Sequence, residues 1–211
     1  NKYFSSIIPD SPYVIYPLHL DPEASTLVFG VSNYDILGVI KRLSLRLPAT
    51  WKLLVKEHGA MVGKRPISFY KELEKIYNVE IIHPNLNSID LVKNSEAVIT
   101  NTGTMGIEAA ILGKRVICLG EPLYAFIPSI LTPPDINDVE NILSNNWGQD
   151  EKIKCKEDMK KFVEATYDVS LKFDDDVLWN SNPDKSKIKS FYEDFFVQFK
   201  KDAFSLYEIN I

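Results

Sequence analysis

The chain has 211 residues, 45% hydrophobic, 25% charged and 11% aromatic, with nine glycines, twelve prolines and two cysteines, which excludes collagenous, disordered and disulfide-scaffold classes. The length accommodates one large domain or two small ones with a buried core. A net charge of −5 excludes a global basic field for nucleic acid, but it divides unevenly: residues 1–120 hold 13 basic against 11 acidic side chains and residues 121–211 hold 11 against 18, so anion-handling chemistry is expected in the first part.

Short apolar runs bounded by turn residues alternate with amphipathic stretches through residue 120. Tyr13-Val14-Ile15-Tyr16 stops at Pro17, and Trp51-Lys52-Leu53-Leu54-Val55-Lys56 stops in the loop at His58-Gly59. Val79-Glu80-Ile81-Ile82 ends at His83-Pro84, Ala97-Val98-Ile99-Thr100 at Asn101, and Arg115-Val116-Ile117-Cys118-Leu119 at Gly120. Each reads as a buried parallel strand. Helices are predicted between them at about 33–46, 67–77, 88–94 and 106–113. The second has Ile67, Tyr70, Leu73 and Ile76 as one apolar stripe, and Ser88 is expected to cap the third. Strands and helices alternating in this way predict an α/β fold with a doubly wound, mainly parallel sheet and helices on both faces. Ligands of such sheets sit at the carboxyl ends of the strands.

Beyond Gly120 the texture changes. Pro122, Pro128, Pro133 and Pro134 punctuate a segment with one more short strand predicted at Phe126–Leu131. Helices follow near 136–144, 152–167 and 185–202, the last carrying Phe191, Tyr192, Phe195, Phe196 and Phe199 as a packing face. Residues 1–125 are therefore expected to form the α/β core, and residues 126–211 to complete the same domain and add an acidic helical extension. Asp174-Asp175-Asp176 reads as a solvated turn. Cys118 and Cys155 have no metal-ligand spacing and read as small buried residues of a reducing compartment. No apolar run reaches membrane-spanning length, and the first 20 residues lack a signal-peptide layout.

The strongest chemical signal is Asn101-Thr102-Gly103-Thr104-Met105-Gly106-Ile107-Glu108, which follows a strand and opens a helix. Two glycines allow close backbone approach, two threonines offer hydroxyls, and a helix start presents free N–H groups to an anion. It has neither the Lys-Ser/Thr of a P-loop nor the spacing of a dinucleotide fingerprint. A glycine-rich turn capped by Glu108 is the plainer alternative. A second cluster, Lys56-Glu57-His58-Gly59 with Lys64-Arg65, could clamp phosphate oxygens or be a solvated basic turn. A third, His19-Leu20-Asp21-Pro22-Glu23, could support acid–base work or bind a sugar. His83 is a fourth candidate. Converging at one sheet edge, these loops predict a site for a phosphorylated, nucleotide-linked small molecule.

Three stretches together resemble the carboxyl-terminal half of GT-B glycosyltransferases, nearest to the capsule and surface-polysaccharide biosynthesis proteins that include Kdo transferases. They are Tyr16-Pro17-Leu18-His19-Leu20-Asp21-Pro22-Glu23, Leu54-Val55-Lys56-Glu57-His58-Gly59, and Val98–Ala110 followed by Gly113-Lys114-Arg115-Val116-Ile117. The resemblance covers about residues 13–124 and implies a Rossmann-like half that binds the nucleotide-sugar donor, CMP- or UDP-linked, with no cofactor required and no metal. It places His58, Thr102, Gly103 and Thr104 on the phosphate and Glu108 on the ribose or sugar, and the charge of the basic loop adds Lys56, Lys64 and Arg65 as phosphate-binding candidates. His19, Glu23 and His58 are the implied catalytic residues. The family's Lys-x-His-Pro loop reads Lys56-Glu57-His58-Gly59 here, so the proline is lost.

The resemblance further implies a glycan or glycolipid acceptor and an amino-terminal GT-B domain upstream of Asn1, with the fragment alone lacking full activity. It implies a cytoplasmic protein, with peripheral membrane association of the full-length protein at the inner face of the membrane. Nucleic acid is not an expected partner. A teichoic-acid-type glycerophosphotransferase domain, or a non-catalytic nucleotide-binding scaffold, would share the same motifs.

Overall fold

The computed structural model describes residues 2–23, 27–30, 33 and 35–169, and beyond them 186, 189, 190 and 193. Five strands form one sheet: β1 (Tyr13–Pro17), β2 (Lys52–Lys56), β3 (Val79–Ile82), β4 (Ala97–Thr100) and β5 (Arg115–Cys118). Their order is β3-β2-β1-β4-β5, and all four pairings are parallel. The α-helices whose bounds fall among the described residues are α1 (Ile36–Ser44), α2 (Ile67–Glu74), α3 (Ser88–Asn94), α4 (Met105–Ile111), α5 (Val139–Ser144) and α6 (Gln149–Val169). This is the doubly wound, Rossmann-like sheet that the alternating pattern predicts.

Side chains alternate along each strand, and both faces are buried, which is why the strands read as continuous apolar runs. Val14, Tyr16, Leu53 and Val55 pack with Val39, Ile40 and Leu43 of α1 and Leu73 of α2. Tyr13, Ile15, Leu54 and Val98 pack on the other face with Leu91 and Val92 of α3, Ala109 and Ala110 of α4, and Cys155 and Met159 of α6. Each such fully buried aliphatic side chain contributes about 1.5–3 kcal/mol. The outer edge at β3 is partly covered: Ser5 bridges it, donating its amide to Ile81 O at 2.7 Å and accepting from His83 N at 2.9 Å.

Several elements differ locally from the sequence expectation. Residues 126–130 form turns rather than a strand, and only Leu131 joins the sheet, through Leu131 N to Val116 O and Cys118 N to Leu131 O. Tyr124, Ile127 and Ile130 turn instead into the core, as Pro122 and Pro128 prevent an extended ladder. Asn87, not Ser88, caps α3, its side chain accepting from Ile89 N and Asp90 N. Asp35 caps α1 and so sets its start at Ile36 rather than 33. A 3₁₀ turn at Ile136–Asp138 precedes α5. Ile67, expected on the apolar stripe of α2, is 61% exposed, while Tyr70 and Leu73 are buried.

The compact unit extends past residue 125 to Phe162, and a second unit covers Val163–Ile211. In that second unit Lys189 and Glu193 form an ion pair at 3.7 Å. The predicted aromatic face at 191–199 and the acidic run at 174–176 lie outside the described residues. Both cysteines are buried and unpaired. Among the described residues no helix is long and apolar enough to cross a membrane.

Gly113 closes α4. Its φ of +74° lets Gly113 N reach Ala110 O and Lys114 N reach Ala109 O, both at 2.9 Å, the two bonds of a Schellman motif. A Cβ there would lie 2.9 Å from Lys152 O. Gly113→Ala is expected to cost about 1–3 kcal/mol, read as a lower Tm; an unchanged Tm would contradict this account of the turn.

Candidate functional site

The site begins where two strands part. β1 pairs with β2 over five residues but with β4 over only two, Val14 with Ala97 and Ile15 with Val98. Leu18 N bonds to Lys56 O of β2, so by alternation the amide of residue 17 faces β4, and proline has no N–H to offer there. The strand order also reverses between β1 and β4, the point at which doubly wound sheets open a crevice. A cleft of about 440 Å³ occupies that opening.

Its lining includes His19, Glu23, Lys56, His58, Thr102, Gly103, Thr104 and Glu108. Eight of the residues expected at the site therefore meet in one cavity. The loop after β1 brings His19, buried at 7% exposure, and its Nε2 has no hydrogen-bond partner among the described residues. Burial pushes its imidazole below the ordinary value of 6.5; Glu23 pulls it up, and Arg65 and His58 add to the lowering. His58 follows β2, and its Nδ1 accepts from Ala60 N at 3.3 Å. That bond leaves the proton of the neutral ring on Nε2.

Lys56, at the end of β2, is 9% exposed and donates from Nζ to Pro84 O at 2.7 Å. Burial pushes its ammonium pKa down, and the Glu108 carboxylate counters that shift. Thr102 to Thr104 form the loop after β4. Thr102 Oγ1 is buried without a hydrogen-bond partner among the described residues, and Thr104, the N-cap of α4, makes no side-chain cap bond. Gly103 donates its amide to Thr100 Oγ1 at 3.0 Å and leaves no room for a side chain: a Cβ would lie 2.9 Å from Thr100 Oγ1 and 3.1 Å from His19 Cε1. Removing that atom lets the loops after β1 and β4 touch.

The structure does not bring Lys64 and Arg65 to the cleft, contrary to the phosphate role the sequence suggests. Lys64 is exposed and outside its lining. Arg65 turns inward, where its Nε lies 3.1 Å from Glu57 Oε2 in a pair whose side chains are 5% and 0% exposed. With Glu57 buried, removing either partner would strand the other's charge at a cost of about 3–5 kcal/mol. His83 also lies outside the lining; its ring meets Phe4 edge-on at 5.7 Å.

Two residues went unmarked in the sequence. Tyr70, read only as part of an apolar stripe, donates its hydroxyl to Glu57 Oε2 at 2.7 Å, with burial and that bond holding its proton on. Tyr124 donates to the Gly103 carbonyl, and a Cβ on Gly106 would lie 2.4 Å from its hydroxyl. Gly106 thus admits a tyrosine ring rather than a ligand. Nothing in one sequence marks a tyrosine that will hydrogen-bond a loop. Among the described residues no cluster of three or more His, Cys, Asp or Glu is arranged to hold a metal ion.

Comparison with known proteins finds a family model described as "Capsule polysaccharide biosynthesis protein" matching residues 10–128, more than half of the chain. The chain is similar to Protein FixF of Sinorhizobium fredii, with 29% identity over 106 residues that make up 48% of this chain and 24% of that protein. Among solved structures it is similar to Thermosulfurimonas dismutans KpsC, beta Kdo 2,4 transferase, at 19% identity and a TM-score of 0.48, covering 72% of this chain and 46% of that one. It is likewise similar to UDP-GlcNAc 2-epimerase from Neisseria meningitidis, at 19% identity and a TM-score of 0.48, covering 77% and 46%. The chain thus spans about a quarter of FixF and under half of these two structures.

Two outcomes follow from the geometry. His58 has extended backbone at φ −79° and ψ 128° and Gly59 opens a 3₁₀ turn, where a Cβ would meet nothing within 4 Å. Those are the requirements of a proline at residue 59, so Gly59→Pro is expected to stabilise by about 0.4–1 kcal/mol; a lower Tm would contradict the loop geometry. His19 titrates lower when folded than its ordinary 6.5, so its contribution is complete above that pH and lost as pH falls below it. Stability measured by denaturant from pH 7 to 5 should decline less steeply in His19→Asn, and an identical profile would show that His19 is not buried neutral.

Proposed function

Because the chain belongs to the capsule polysaccharide biosynthesis protein family, we propose that it is the donor-binding domain of a GT-B-type glycosyltransferase in capsular or surface polysaccharide biosynthesis. One observation carries the reading. Seven side chains suited to a sugar nucleotide, with Gly103 between two of them, converge on one cleft at the carboxyl ends of β1, β2 and β4, where the strand order reverses.

Thr102 and Thr104 would hold phosphate oxygens through their hydroxyls, with Gly103 admitting a close approach while its own amide bonds to Thr100 Oγ1, and His58 Nε2–H donating from the facing loop. Lys56 supplies a cation that feels the charge of Glu108, whose carboxylate would accept from ribose hydroxyls. When the sugar–phosphate bond breaks, negative charge grows on the phosphate, and these donors are already in place to receive it. His19, kept neutral by burial, and Glu23 line the same cleft and would handle the acceptor hydroxyl proton. Lys56 and the hydrogen-bond donors of the two loops come from the chain itself, so the reading calls for no cofactor. A nucleotide-sugar and a glycan or glycolipid acceptor are the partners it requires, with an amino-terminal GT-B domain completing the cleft.

A thermal-shift screen of CMP, UDP, GDP and CDP tests this. CMP or UDP at about 100 times its Kd should stabilise by about 2.7 kcal/mol, a rise of roughly 5–10 °C for a chain of this size. His58→Ala and Glu108→Ala should each weaken binding about tenfold, or ~1.4 kcal/mol. No shift with any nucleotide at millimolar concentration would overturn the reading. CMP release from CMP-Kdo against CDP-glycerol by the full-length protein separates a sugar transferase from a glycerophosphotransferase.

A further inference from the structure

The two imidazoles of the cleft come from separate loops, and the pairing of β1 with β2 ends at Leu18 N to Lys56 O, short of both rings. A single buried ion pair joins the two loops. Glu57 Oε1 accepts from the His58 amide at 2.7 Å and from Arg65 Nε at 3.2 Å. Glu57 Oε2 accepts from the Tyr70 hydroxyl at 2.7 Å and from the same Nε at 3.1 Å. The guanidinium then reaches past the carboxylate, donating through Nη2 to the carbonyl of His19 and lying 3.9 Å through Nη1 from Asp21 Oδ2. One end of the pair thus grips the backbone of His58 and the other the backbone of His19.

We infer that Glu57 and Arg65 are positioning residues that set the spacing of His19 and His58 across the cleft. The inference rests on the reading of that cleft as a nucleotide site, and it assigns Arg65 a task other than touching phosphate. The chemistry explains the residue types. Only a guanidinium offers several N–H donors in a rigid plane, so that one side chain can pair with Glu57 and still donate to a second loop; the compact ammonium of a lysine cannot span both. Only a carboxylate can accept from an amide, a phenol and a guanidinium together. Tyr70 extends the anchorage to α2, where its ring stacks on Tyr3 at 5.8 Å and meets Phe4 edge-on at 5.4 Å. The loops are therefore fixed to the helical layer as well as to each other.

The protein carries its own reporters. His19, His58 and His83 are the three histidines of the chain, and His83 lies outside the cleft lining. Histidine-ring ¹H–¹⁵N spectra of Arg65→Lys and Glu57→Gln, taken well below melting, should show His19 and His58 displaced and His83 in place. Affinity for CMP or UDP by calorimetry should fall at least about tenfold, and Arg65→Lys should cost nothing more once His19 and His58 are both alanine. Unmoved His19 and His58 rings would overturn the inference, as would three rings displaced alike, which is the mark of general destabilisation. An affinity loss undiminished in the double-alanine background would also overturn it, for Arg65 would then be a ligand. Should a single variant not fold, Glu57→Gln/Arg65→Gln, which strands no charge, is read the same way. Wild-type protein that binds neither nucleotide counts against the proposed function, and the ring spectra still decide this inference.

Discussion

The ladder between β1 and β4 stops at Ile15 and Val98, and the cleft depends on that stop. Had it continued, Pro17 would face Thr100 across a closed sheet, leaving no opening between the loops that follow. The proline ends the ladder by lacking an N–H on the side facing β4. Gly103, small enough for Thr100 Oγ1 and the His19 ring to approach, then lets those loops touch again further out. Between the parting and the touching lies a space bordered by imidazole, hydroxyl, ammonium and carboxylate.

Charge inside this space is arranged rather than merely concentrated. Of the four groups in the basic loop, Lys56 and His58 line the cleft, Arg65 is paired inward with Glu57, and Lys64 is exposed. Lys56 is steadied by the Pro84 carbonyl and by the nearby Glu108 charge. His19 is kept neutral by burial, which preserves its capacity to accept a proton. The local positive field is thus weaker than a count of cations suggests, and its donors are better oriented.

Much of this was legible in the sequence because it depends on local chemistry. Apolar runs ending at Pro17, His58 and Asn101 revealed strands whose ends point one way, and residue type picked out His19, Glu23, Lys56, His58, Thr102, Thr104 and Glu108 as polar groups at those ends. What was not legible depends on distance in the chain. Arg65 looked like a phosphate ligand because the sequence does not show that Glu57 is buried eight residues before it. Gly106 looked like room for a ligand because Tyr124, eighteen residues on, fills that room. Phe126–Leu131 looked like a strand by composition, but tertiary packing of Ile127 and Ile130 into the core prevailed over β-propensity.

The central claim is that the crevice between β1 and β4 is where the nucleotide's phosphate sits. A crystal structure with CMP or UDP bound tests it most directly. The account predicts phosphate density within hydrogen-bond distance of the Thr102–Thr104 loop and His58 Nε2, with the ribose beside Glu108. Nucleotide density at the separate pocket beyond β5, bordered by Arg42, Glu121 and Asp135, with the crevice between β1 and β4 empty, would contradict it.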